Sequence, residues 1–181
     1  MNITVAIPTL PSRTVLLQRA LDSVRAQTYP AAVCVRVDAH RDGAAATRNK
    51  ALELVDTEYV AFLDDDDVLK PHHLRACARH MALTDADLVY PGFDGEHPTG
   101  MFGKSFDPLL LQRRNYIPVT VLTKTELVRG VGGFEPHPDE NGDPCEDWGL
   151  WLKLLDAGAR FSHLPQRTWI RAPGGTRGRA A

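Results

Sequence analysis

YVAFLDDDD, from Tyr59 to Asp67, sets an apolar, β-branched and aromatic run directly before four consecutive aspartates. The apolar half has the composition and length of a buried strand. The carboxylates then stand where that strand ends. Two like unit charges about 4 Å apart repel by roughly 4 kcal/mol at an effective dielectric near 20, so a compact Asp cluster is solvated, protonated or neutralised by a cation. In open α/β sheets ligands bind outside the carboxyl ends of the strands, and this context favours the cation over a solvated acidic loop. Hard oxygen ligands suit Mg2+ or Mn2+, which are commonly shared with substrate phosphates.

Working outward, short apolar runs alternate with helical patterns. The periodicity predicts strands at Ile3 to Ile7, Val33 to Val37 and Tyr59 to Leu63, with helices at Thr14 to Gln27 and Ala44 to Leu54. Such alternation argues for an α/β fold with a parallel sheet. Leu17, Ala20, Leu21 and Val24 share one helical face, while Arg13, Arg19 and Gln27 point elsewhere. Pro71 suits the first turn of a third helix reaching about Leu83, and Leu88 to Tyr90 reads as a short strand. Pro91 to Asn115 has little periodicity and is longer than ordinary connections, a length often associated with function. Val119 to Thr123 resumes strand character. Asp147 to Ala157 forms an amphipathic helix that Gly158 is placed to cap.

The chain has 181 residues, enough to bury a core without staples. Its three cysteines, Cys34, Cys77 and Cys145, are widely spaced and odd in number, which fits buried thiols in a reducing compartment. The first residues lack a basic leader, and no segment approaches the roughly 20 apolar residues of a membrane span. A cytoplasmic location is therefore expected. A net charge of −2 gives no electrostatic reason for nucleic-acid or membrane binding.

Five further motifs join the Asp run in order: Ile7, Pro8 and Thr9; Asp38; Gly43 to Asn49 with Arg48 and Asn49; Gly132 to Glu135; and Glu146, Asp147 and Trp148 with Leu150 and Trp151. Together they resemble family 2 of the glycosyltransferases. The resemblance implies a GT-A fold, a Rossmann-like three-layer α/β/α sandwich with a mostly parallel central sheet. It implies one domain over 1–170, with a nucleotide-binding half at 1–90, an acceptor-side half at 91–170 and a flexible basic tail at 171–181.

The implied activity is metal-dependent, inverting transfer of a sugar from a nucleotide diphosphate-sugar, typically UDP-linked, to an acceptor hydroxyl. By this resemblance Pro8, Thr9, Asp38, Arg48, Asn49, Asp64 and Asp65 face the donor nucleotide, and Asp66 holds Mn2+ or Mg2+. Asp67 shares that work or caps the next helix. Asp147 is the general base, at a helix amino terminus whose dipole favours the carboxylate; capping that helix is its other reading. Glu146 supports or contacts the acceptor. Trp148 and Trp151 are not expected to share the core face, which leaves Trp148 to pack or to stack on a sugar.

Two features depart from the family pattern. Only four residues separate Asp38 from Gly43, where relatives usually carry another strand and helix at the sheet edge, so a more open base pocket is expected. No histidine follows Trp169 and Arg171, where many relatives place a metal ligand; His163 is a substitute or a structural residue, and Arg171 is placed to steady the diphosphate, with Arg177 or Arg179 of the tail. Asp94, Glu96, His97 and Tyr116 are candidate contacts for a soluble acceptor. A non-catalytic nucleotide-sugar or carbohydrate-binding module is the alternative. A nucleotidyltransferase is disfavoured, because Pro11, Ser12 and Arg13 supply no glycine-rich loop.

Overall fold

The computed structural model describes residues 1–95, 102–139 and 141–173. The chain runs β1 (Ile3–Thr9), α1 (Thr14–Arg25), β2 (Ala32–Val37), α2 (Ala44–Glu53), β3 (Tyr59–Phe62), β4 (Val68–Leu69), α3 (His73–Thr84), β5 (Leu88–Asp94), α4 (Pro108–Arg113), β6 (Leu122–Lys124), α5 (Thr125–Gly130), α6 (Glu146–Asp156) and β7 (Phe161–Ile170). The strands form one sheet in the order β2-β1-β3-β6-β5-β7-β4. Five of them share a direction and β6 and β4 oppose it, so the neighbouring pairs divide evenly between parallel and antiparallel.

Period-two burial builds three layers. Ile3, Val5 and Ile7 of β1 join Tyr59 and Ala61 of β3 on one face, under Ala20 and Val24 of α1 and Leu74, Cys77 and Met81 of α3. Ala6, Val60, Phe62, Leu88 and Tyr90 face the other way, onto Ala51 and Leu52 of α2 and Trp148, Trp151 and Leu154 of α6. The sheet is covered on both faces, as near-continuous apolar strands require. At its margin β2 is an edge strand, with Val33 42% and Val37 45% exposed.

Several expectations change in detail. Leu88 to Tyr90 is the start of a strand that continues to Asp94 alongside β7. The stretch expected to be irregular also holds α4, whose amino end is capped by Asp107 Oδ1 accepting from Leu109 N at 2.9 Å and Leu110 N at 3.0 Å. The strand expected from Val119 begins only at Leu122. Gly158 does adopt a positive φ of 77° at the end of α6.

Trp148 and Trp151 are both buried, against expectation. Residues three apart are neighbours on a helix surface, and each indole N–H finds a carbonyl: Trp148 Nε1 donates to Leu111 O at 2.7 Å and Trp151 Nε1 to Ile117 O at 3.0 Å. Trp148 therefore anchors α6 and is not set to stack on a sugar.

Candidate functional site

Parallel pairing of β1 with β3 sets Ala6 opposite Phe62, so the chain beyond β3 runs beside Pro8 and Thr9. The consequence is a direct bond: Thr9 Oγ1 donates to Asp65 Oδ2 at 2.6 Å. Arg13 Nη2 meets Asp65 Oδ1 at 2.9 Å and Asp66 Oδ2 at 2.6 Å. Asp65 is buried, and burial raises its carboxyl above the ordinary value against the opposing pull of Thr9 and Arg13. Asp65, expected to face the donor, is bonded through both carboxylate oxygens to Thr9 and Arg13. Arg13, expected to point elsewhere, reaches the centre of the site because it precedes α1 at the carboxyl end of β1.

Asp64, Asp66 and Asp67 each offer a carboxylate oxygen within 4.8 Å of the others. Asp67 is buried and accepts from Ala172 N at 2.9 Å. It does not cap the next helix, which starts at His73. Burial first, and the Asp64 charge second, push the Asp67 carboxyl well above the ordinary range. Three hard oxygen donors, one of them driven towards its neutral form by crowding and burial, are a donor set that a Mg2+- or Mn2+-sized cation fits.

Arg48 of α2 links this cluster to α6. Its side chain is buried; Nη2 donates to Asp64 Oδ1 at 2.6 Å and Nη1 to Glu146 Oε1, and the guanidinium lies 5.6 Å from the Phe134 ring centroid. Burial opposes its charge, but Asp64 and Glu146 outweigh burial and hold the guanidinium protonated. Asn49, expected beside the nucleotide, is bonded at both ends of its amide to Phe134: Nδ2 to the carbonyl at 2.7 Å and Oδ1 from the N–H at 2.8 Å. Gly133 permits that clamp, since a Cβ there would lie 2.4 Å from Asn49 Oδ1.

Asp147 lies half-buried in the first turn of α6. Its Oδ1 accepts from Trp148 N at 2.9 Å, Asn115 Nδ2 at 3.1 Å and Cys145 Sγ at 3.3 Å. Burial and then the Glu146 charge raise its carboxyl above the ordinary value, with Arg48 opposing. A carboxylate so placed is competent to accept a proton. Burial also pushes the neighbouring Cys145 thiol up to about 12, which keeps it an S–H donor.

Asp38 follows β2, where Asp38 N donates to Thr9 O at 2.8 Å. Its carboxylate accepts from Asp42 N at 2.8 Å and Gly43 N at 3.0 Å, shaping the turn into α2. A cavity of about 330 Å³ opens beside it, lined by Arg36, His40, Thr47 and Lys50 among others. Pro8 is half-buried in β1 opposite Arg36.

Arg171 lies with its guanidinium 5.9 Å from the Phe102 ring centroid, and its charge acts on Asp67. His163 does not reach the Asp cluster. It stacks on Tyr90 with ring centroids 5.1 Å apart, and it sits seven residues before Ile170, the β7 residue paired with Val68. At strand rise that separation is roughly 20 Å. Tyr116 is fully buried with its hydroxyl on the Asp107 backbone, which removes it as an acceptor contact. Asp94 pairs with Lys70 at 2.6 Å. Glu96, His97, Arg177 and Arg179 lie outside the described residues.

Among the described residues no helix is long and apolar enough to cross a membrane. Arg13, Asn115 and Cys145 are the site residues that sequence reading missed. Only Arg13 carried a signal, as the basic residue soon after the first strand.

The family model described as glycosyl transferase family 2 matches residues 31–105. The pre-mycofactocin glycosyltransferase of Mycobacterium tuberculosis (strain ATCC 25618 / H37Rv) is 30% identical over 141 residues, which cover 70% of this chain and 29% of that protein. The O-antigen biosynthesis protein RfbC of Myxococcus xanthus is 28% identical over 131 residues, 69% of this chain and 10% of that protein. The chain thus spans less than a third of the length of these relatives.

Among solved structures, S. aureus TarS 1-349 in complex with UDP-GlcNAc aligns with a TM-score of 0.76 at 20% identity, over 98% of this chain and 60% of that one. The mannosyltransferase PcManGT from Pyrobaculum calidifontis, in complex with GDP-Man and Mn2+, aligns with a TM-score of 0.70 at 18% identity, over 97% and 58%. These likenesses show the GT-A fold. With the motifs in order at the carboxyl ends of β1, β2 and β3, the chain belongs to family 2 of the glycosyltransferases.

Proposed function

We propose that this domain transfers a sugar from a nucleotide diphosphate-sugar, UDP-linked, to an acceptor hydroxyl with inversion at the anomeric carbon. The observation that carries the reading is the Arg48 bridge, which places the Asp64, Asp66 and Asp67 cluster and the Glu146–Asp147 pair at one mouth of the sheet.

In this reading Asp64, Asp66 and Asp67 hold Mg2+ or Mn2+. When bound, such a cation supplies Lewis-acid stabilisation of the departing diphosphate. Thr9 and Pro8, at the end of β1, lie against the nucleoside, and the cavity beside Asp38 seats the base. Arg171 faces the diphosphate from the end of β7. Arg48 holds Asp64 and Glu146 at fixed separation through its two terminal nitrogens. Asp147 takes the acceptor's proton as the acceptor oxygen bonds to the anomeric carbon; the bond from that carbon to the diphosphate oxygen breaks, and its electron pair leaves with the diphosphate. Attack opposite the leaving group inverts the centre.

Thermal stabilisation by UDP and GDP, each with and without Mn2+, tests the donor half. Ligand at a hundredfold excess over its dissociation constant adds about 2.7 kcal/mol. A Mn2+-dependent shift with UDP that disappears in Asp66→Ala is the expected result. A shift with GDP instead reassigns the base, and equal shifts with and without Mn2+ remove the metal.

A further inference from the structure

We infer that Asn115 is a positioning residue that pins Oδ1 of Asp147 and leaves Oδ2 as the proton-accepting oxygen; the inference rests on Asp147 being the base. The orientation of the Asn115 amide is settled by its own bonds. Its Oδ1 accepts from Ile117 N at 3.1 Å, so the amino group is the end that faces Asp147 Oδ1 at 3.1 Å and Cys145 Sγ at 3.4 Å. The Cys145 thiol passes its own hydrogen to the same Asp147 oxygen at 3.3 Å, and Trp148 N adds a third donor at 2.9 Å. All three bonds end on Oδ1. Among the described residues none donates to Oδ2.

Asn115 is a rigid support for this purpose. The segment that carries it is tied to α6 on both sides, by Trp148 Nε1 on Leu111 O and Trp151 Nε1 on Ile117 O. Tyr116, the next residue, is fully buried. The carboxylate and its orienting amide therefore belong to one packed unit, and a base must be held in reach and in direction to act. Both terminal nitrogens of Arg48 are engaged by Asp64 and Glu146, so its charge acts on Asp147 without a hydrogen bond between them.

A hydrogen bond donated to a carboxylate favours its charged form, and an added like charge disfavours it. Asn115→Asp keeps the shape and the bond from Ile117 N but removes the donor; Asn115→Ala removes the whole contact. The test is a carbon-13 carboxyl titration of Asp147 in the folded, ligand-free protein, followed by UDP affinity in the presence of Mn2+. The expected result is a rise of about one pH unit or more in the Asp147 midpoint for Asn115→Asp, a smaller rise for Asn115→Ala, and UDP affinity unchanged in both. An unchanged midpoint in folded Asn115→Asp overturns the inference. The base assignment itself is tested separately: Asp147→Asn that transfers sugar at the wild-type rate removes the base, whereas an unmoved midpoint in Asn115→Asp removes only the positioning role.

Discussion

Arg48 Nη2 donates to Asp64 Oδ1 at 2.6 Å from a buried position on α2. This bond joins α2 to the end of β3, and the other prong of the same guanidinium reaches Glu146 on α6. Removing one partner of a buried charge pair leaves the others uncompensated, at a cost of about 3 to 5 kcal/mol. Arg48→Ala is expected to lose about 3 kcal/mol, the lower end because Asp64 is partly exposed, as read from urea unfolding midpoints. Wild-type stability would remove the bridge as a support of the site.

Arg13 Nη2 pairs with Asp66 Oδ2 at 2.6 Å. Charge neutralised by an arginine is charge a metal must compete for, and a partly solvated ion pair of this kind is worth up to about 1 kcal/mol. Arg13→Gln is expected to tighten binding of Mn2+ alone by roughly fivefold, measured by electron paramagnetic resonance of free Mn2+. Weaker binding in the variant would instead make Arg13 an orienting partner of the ligand carboxylate.

Gly133 and Asn49 form one clamp. A side chain at Gly133 meets Asn49 Oδ1 at 2.4 Å and adopts a φ of 69°, so Gly133→Ala is expected to destabilise by about 1 to 3 kcal/mol. Combining it with Asn49→Ala relieves the clash but leaves the strained φ. The two costs should therefore fall short of additive by about 0.5 kcal/mol or more, and strict additivity in chemical denaturation would refute the contact.

His73 gives the fold an acid limb. It is buried with Nδ1 at 2.8 Å from Thr168 Oγ1, and burial pulls it down to about 3. The unfolded imidazole titrates near 6.5, so between these values the unfolded chain binds more protons. Stability is then full above about 6.5 and falls as pH falls, by up to about 1.4 kcal/mol per unit. From pH 7 to 5 the contribution of this residue is about 2 kcal/mol. His73→Asn should lose that much less stability than wild type over the same interval; parallel pH curves would assign the limb to other groups.

Much of this molecule was legible in its sequence because local pattern carries it. The strands of β1, β2 and β3 and the helices α1, α2, α3 and α6 follow from apolar periods of two and of three to four, which report the face each element buries. The Asp run declared itself because four adjacent carboxylates at a strand end have few inexpensive solutions. Two strands were harder to see: β4 is two residues long, and β7 mixes exposed and buried positions because it lies between β5 and the short β4.

Sequence alone thus determined the fold class, the family and the carboxylates from which the site is built, since these are properties of composition, spacing and order. Only the tertiary structure decided the partners. Thr9 and Asp65 meet across 56 residues, Arg48 and Glu146 across 98, and Asn115 and Asp147 across 32. No local period encodes such separations. They arise because strand register and helix docking bring distant chain ends to one mouth of the sheet, where each buried polar group takes the nearest partner that satisfies it.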